Sequence, residues 1–105
     1  MNLEERITRK IKDAVRSADA EAQVILYGSR ARGTARDDSD WDILILVHKP
    51  RISTKDEQFF RHRLFDLELE TGQAISTFVY SFDDWNSRMS ITPLYQNVKQ
   101  EGIYL

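Results

Sequence analysis

Leu3, Ile7, Ile11 and Val15 recur every fourth residue with mostly charged or small side chains between them, which predicts an amphipathic helix whose apolar stripe covers one face of a sheet. The run Val24-Ile25-Leu26-Tyr27 is short, apolar and stopped by Gly28, the pattern of a buried strand. A helix is predicted to begin at Ser29 and run to Ala35. A second apolar run, Ile43-Leu44-Ile45-Leu46-Val47, predicts a strand that starts at Asp40 and ends at His48-Lys49-Pro50-Arg51. Ser53 and Asp56 have the spacing of a capping pair for a helix reaching about Thr71, with Phe60, Leu64 and Leu67 facing the core. Ala74 to Ser81 predicts a third strand, Asp83 to Met89 a short helix, and Pro93 a last helix that Gly102 stops. This order predicts an α/β (α+β) domain in which helices pack mainly on one face of a small sheet.

With 105 residues, the chain supports a single domain spanning residues 1-105. Fifteen basic and 17 acidic side chains leave a formal net charge of -2, so no global field attracts nucleic acid, and direct nucleic-acid binding is not expected. Cysteine is absent, which removes disulfides and zinc-thiolate sites and suits a reducing cytoplasm. No apolar stretch is long enough to span a bilayer, and the charged, amphipathic segment Met1 to Lys12 is unlike a signal peptide. The expectation is a soluble cytoplasmic protein.

Chemistry concentrates in residues 28-42. Gly28 allows a sharp turn after the first strand, and the first-turn N–H groups of a helix from Ser29, together with its hydroxyl, suit a phosphate group. Arg30, Arg32 and Arg36 add positive charge, although helical spacing cannot aim all three the same way. Arg30, next to Ser29, is assigned with Gly28 and Ser29 to the phosphate site. Asp40 and Asp42 are separated by one residue at a strand start, so both carboxylates share a face about 6.5 Å apart, while Trp41 and Ile43 point into the core. Paired carboxylates beside a phosphate cradle suit magnesium, which takes oxygen ligands from protein and substrate together. A lone Gly-Ser is usually an ordinary turn and a lone Asp-x-Asp a solvated strand end. Their ordered combination is something core packing does not require.

These residues resemble the DNA polymerase β-type nucleotidyltransferase superfamily, whose pattern is Gly-Ser, about ten residues, then Asp-x-Asp. The wording Gly28-Ser29-Arg30-Ala31-Arg32-Gly33 followed by Ser39-Asp40-Trp41-Asp42 is similar to the minimal nucleotidyltransferases (MNT), and the likeness extends over nearly the whole chain. The resemblance implies that Gly28 and Ser29 bind a nucleoside triphosphate and that Asp40 and Asp42 are catalytic and hold Mg2+, two ions with nucleotide bound. It implies a mixed sheet with the Gly28 turn beside the Asp40 strand. It also implies a third acidic residue on a later strand, and here the apolar rhythm of residues 74–81 places Ser76 at that position. Serine cannot replace the charge, so loss of a general base is expected before loss of nucleotide binding. Glu68, Glu70, Asp83 and Asp84 are minority substitutes.

The resemblance further implies a protein partner, because minimal nucleotidyltransferases are commonly antitoxins of HEPN-domain toxins and in some cases add AMP to a toxin tyrosine. The leading expectation is transfer of AMP from ATP to a hydroxyl of such a partner. The alternative is a binding module that keeps the nucleotide cradle and works by tight complex formation. Modification of small molecules lacks an acceptor domain. His48 and His62 match no ligand pattern and are expected at the surface, while Tyr27, Trp41, Phe59, Phe60, Phe78 and Trp85 are expected in the core.

Overall fold

The computed structural model describes residues 1-105. Helix α1 (Leu3–Ala18) leads into strand β1 (Gln23–Tyr27), a one-turn helix α2 (Ser29–Arg32) and strand β2 (Trp41–Val47). Helix α3 (Thr54–Thr71) crosses to strand β3 (Ile75–Ser81), and α4 (Phe82–Asn86), a 3-10 turn (Arg88–Ile91), α5 (Pro93–Glu101) and strand β4 (Ile103–Tyr104) complete the chain. The sheet order is β3-β2-β1-β4. β1 runs antiparallel to both β2 and β4, whereas β2 and β3 are parallel, so the sheet is mixed.

Strand alternation divides the core in two. Val24, Leu26, Trp41, Ile43, Ile45 and Val47 face α1 and α3, which contribute Ile7, Ile11, Val15, Phe60, Leu64 and Leu67. Trp41 and Ile43 have no exposed surface at all, as their place in the alternation requires. On the second face, Ile25, Tyr27, Leu44 and Leu46 meet Trp85 of α4 and Val98 of α5. The two long helices thus cover one face, and the short C-terminal helices close part of the other.

Several local signals act as expected. Ser53 and Asp56 form a reciprocal capping box, each side chain accepting the other's backbone N–H, and Lys49 Nζ lies 3.0 Å from Asp56. Gly102 caps α5, donating its N–H to Val98 O at 2.7 Å. Three elements differ from the expectation. Helix α2 stops at Arg32 instead of Ala35 because Gly33 adopts φ 77° in the left-handed region. The helix expected at 83–89 begins at Phe82 and breaks at Ser87 into the 3-10 turn. The C-terminal pair Ile103 and Tyr104 adds a fourth strand opposite Leu26 and Ile25. Among the aromatics, Phe59 and Phe78 are exposed: Phe78 lies on the edge strand, on the face the C-terminal helices cover only in part. No helix is long and apolar enough to cross a membrane.

The capping box yields a pH-dependent expectation. Hydrogen bonds from Lys49 and Ser53 hold the Asp56 carboxyl below its ordinary value, so its stabilisation is present above pH 3.8 and is lost as pH falls through the depressed folded value. In thermal melts at neutral pH, Ser53→Ala should cost about 1 kcal/mol, a fall of roughly 5 °C for a domain of this size. Asp56→Asn should also lower the melting temperature, and its deficit should shrink as the pH is taken below 3.8.

Candidate functional site

The antiparallel register sets Tyr27 opposite Asp42, so the chain leaves β1 at Gly28 beside the point where it enters β2. Gly28 has φ 75° and ψ −159°, a conformation that residues with side chains rarely adopt. A Cβ at this position would overlap a carboxylate oxygen of Asp42. The turn backbone therefore lies directly against the Asp42 side chain. Ser29 opens α2, and its carbonyl accepts the N–H groups of Gly33 and Thr34, which closes the turn tightly.

Residues 33–40 then carry the chain back to β2. Arg36 donates its N–H to Ser39 Oγ at 2.8 Å, and Ser39 returns its N–H to Arg36 O at 3.0 Å. The Arg30 guanidinium donates to Ser39 O at 3.1 and 3.4 Å and to Asp37 O at 3.3 Å, while its carbon sits 4.5 Å from the Trp41 ring centroid. Arg30, assigned from sequence to the phosphate site, is therefore buried on the Trp41 side of β2, across the strand from Asp42. In the structure it holds the loop that delivers Asp40. Asp40 is exposed just ahead of β2, and Asp42 is half-buried.

The parallel register places Ser76 beside Asp42 on the same sheet face. This is where the third acidic residue was expected, and no other acidic side chain on β3 replaces it. Glu68 and Glu70 belong to α3, which packs on the opposite face, and Glu70 lies 3.4 Å from Lys10. Asp83 and Asp84 follow the far end of β3, roughly 20 Å along the strand from Ser76. His48 and His62 are both exposed.

The acidic residue that does reach the turn is Glu101, at the end of α5. Its Oε1 accepts the Gly28 N–H at 3.1 Å and its Oε2 accepts Arg32 Nη1 at 2.8 Å. No local pattern marks Glu101 in the sequence, because 73 residues separate it from Gly28. The available signal was an acidic side chain immediately before the glycine that ends the last helix, followed by a short apolar run able to pair with β1.

Electrostatics tie these groups together. Burial raises the proton affinity of Asp42, the neighbouring Asp40 carboxylate raises it further, and Glu101 adds to this, whereas Arg32 opposes it. The Arg32 hydrogen bond holds the Glu101 carboxyl below its ordinary range, assisted by the Gly28 N–H. Burial, with Asp42 and Tyr80, pushes the Tyr27 phenol up to about 12, so it stays protonated through the neutral range.

Nucleotidyltransferase domains generally use divalent metal ions, and the donor set can be compared with that need. No three His, Cys, Asp or Glu side chains are grouped closely enough to hold a metal by themselves. Asp40 and Asp42 supply two carboxylate oxygen donors, and the repulsion of Asp40, second to burial in raising the proton affinity of Asp42, is of the kind a divalent cation would relieve. That set fits magnesium, which commonly completes its shell with substrate phosphates and water.

A glycine-serine turn thus packs against the Asp42 carboxylate at one end of a mixed sheet. Residues 8–101 match the nucleotidyltransferase domain family, and the chain belongs to that family. Membership supports transferase activity. No curated protein shows significant sequence similarity to the chain. Among solved structures, one described as a putative minimal nucleotidyltransferase is 24% identical with a TM-score of 0.63, the match covering 97% of this chain and 95% of that one. A toxin-antitoxin crystallised with AMP-PNP has a TM-score of 0.67 at 20% identity, covering 91% of this chain and 69% of that one. A mutant of the toxin-antitoxin MntA-HpeT gives 0.63 at 19% identity, covering 93% and 70%. At these identities the likeness establishes the shared fold.

The position of Arg30 yields an expectation about the loop. Arg30→Ala should destabilise the domain by about 2 kcal/mol, since two backbone carbonyls lose charge-assisted donors. Hydrogen exchange should show lost protection concentrated in residues 36–41; uniform loss across the domain would contradict a local clamp.

Proposed function

We propose that this domain transfers AMP from ATP to a hydroxyl of a partner protein, as the antitoxin of a toxin-antitoxin pair whose toxin is a HEPN-domain protein. The observation that carries the reading is the direct packing of the Gly28 turn, the proposed phosphate cradle, against Asp42, the inner carboxylate of the Asp40/Asp42 pair. Family membership supports the reaction class. The partner is supported by the toxin-antitoxin assemblies among the structural neighbours, and the nucleotide by AMP-PNP in one of them.

In this reading the acceptor oxygen forms a bond to the α-phosphorus of ATP, the bond from that phosphorus to the bridging oxygen breaks, and pyrophosphate leaves. Ser29 and the backbone after Gly28 hold the β and γ phosphates. Asp40 and Asp42 are the residues that would hold magnesium, which would supply neutralisation of the phosphate charge. Arg30 acts on the Asp40 loop instead of touching nucleotide. Ser76 leaves the domain without a carboxylate to take the acceptor proton at that position, so the proton passes to water or to a group of the partner.

The same Ser76 favours a second reading, a nucleotide-binding module that neutralises its partner by tight complex formation. The mass of a co-purified partner separates the two. Added AMP units identify the transferase, and an unmodified, tightly bound partner identifies the blocking module.

Calorimetric titration of ATP with and without magnesium tests the site itself. The wild type should bind ATP in a magnesium-dependent manner, and the Asp40→Asn, Asp42→Asn double variant should lose about a hundredfold or more in affinity while remaining folded. Equal binding by both proteins would sink the assignment of the two carboxylates.

A further inference from the structure

Glu101 is an unusual companion for a phosphate site, because it brings a third negative charge beside Asp40 and Asp42 and yet is only 18% exposed at its side chain. It is held on a stiff part of the fold. Val98 of α5 is packed on the Asp42 face of the sheet, Gly102 turns the chain within 2.7 Å of Val98 O, and β4 pairs with β1 from the next residue. A side chain at Gly102 would meet Val98 O at 2.5 Å and Ile25 Cγ2 at 2.9 Å, so the segment has little freedom to shift.

Glu101 ties the Gly28 N–H, at the close of β1, to Arg32, which ends a four-residue helix with half its side chain exposed. An unrestrained arginine loses considerable rotamer freedom when it engages a ligand. A single carboxylate bonded to both removes that freedom beforehand.

We propose that Glu101 is a positioning residue of the nucleotide site, whose carboxylate orients the Gly28 peptide and holds the Arg32 guanidinium beside the turn, ready to engage the β and γ phosphates. The inference rests on the nucleotide-binding reading above. It assigns to Arg32 the phosphate contact that Arg30, facing Trp41, does not make. Arg32 is bonded at 2.8 Å to the carboxylate that also accepts the Gly28 N–H, and Gly28 packs directly against Asp42, which places the Arg32 charge on the Asp42 side of the turn.

Calorimetric titration of magnesium-ATP and of AMP into the wild type, Glu101→Ala and Glu101→Gln, with a thermal melt of each, tests the proposal. AMP lacks the β and γ phosphates, so a positioning role must appear as changed discrimination between the two ligands. Glu101→Ala should weaken ATP about tenfold and leave AMP nearly unchanged. Glu101→Gln, which keeps an acceptor for the Gly28 N–H but weakens the hold on Arg32, should fall between, and it remains readable if the alanine variant fails to fold. Parallel loss of both ligands together with melting temperature would reduce Glu101 to a structural brace and overturn the proposal. Unchanged ATP affinity would also overturn it, as would tighter ATP binding, which would make the carboxylate a competitor of phosphate. Failure of the wild type to bind either nucleotide would remove the functional reading and this inference together, whereas normal wild-type binding with indifferent variants would remove the inference alone.

Discussion

The close approach of the Gly28 backbone to the Asp42 carboxylate is the constraint on which the site depends. It needs a residue with no side chain at position 28, held at φ 75°, and it needs the register that sets Tyr27 opposite Asp42. Both conditions follow from packing elsewhere. Alternation along β2 fixes Trp41 and Ile43 in the main core, so Asp42 must emerge on the other face, and slipping the strand by one residue would exchange them. Burial of Trp41 on one face and presentation of Asp42 on the other are two results of the same register.

Bringing carboxylates together at a strand end is electrostatically unfavourable, and of the two arginines on the turn only Arg32 offsets it. Arg30 spends its donors on loop carbonyls and its flat face on Trp41, fixing the path of the loop from below. Arg32 sits among the acidic groups and lowers the proton affinity of both Asp42 and Glu101. Two residues apart on one helical turn, the two arginines necessarily point in different directions. One stiffens the scaffold and the other sets the local charge.

Much of this was legible in the sequence wherever the signal was local. The apolar repeat of α1, buried at Ile7, Ile11 and Val15 though exposed at Leu3, the Ser53 and Asp56 capping box, and Gly102 after α5 mark their elements through spacing or backbone chemistry within a few residues. Asp40 and Asp42 were readable as a pair because strand alternation is a short-range rule. What was not legible depended on distant partners. β4 has two residues, too few to show a period, and becomes a strand only because β1 offers it an edge. The charge of Arg30 says nothing about which side of the turn it occupies; the Trp41 ring decides that. Phe59 and Phe78 read as core residues because composition cannot distinguish the covered part of a face from the open part.

The link between Glu101 and Gly28 also bears on how the domain is made. The strands that carry Asp42 and Ser76 pair across a single helical crossover, but the Gly28 peptide waits for a partner 73 residues downstream. Closing so long a loop carries an entropic cost that must be met before the contact forms, and during synthesis the partner is not available until nearly the entire domain has emerged. A nascent chain can therefore assemble its β1-β2-β3 layer and bury Trp41 while the turn beside Asp42 still lacks its far anchor. Completion of the site is a late event in the life of the polypeptide, set by the 73 residues that separate the Gly28 peptide from its anchor.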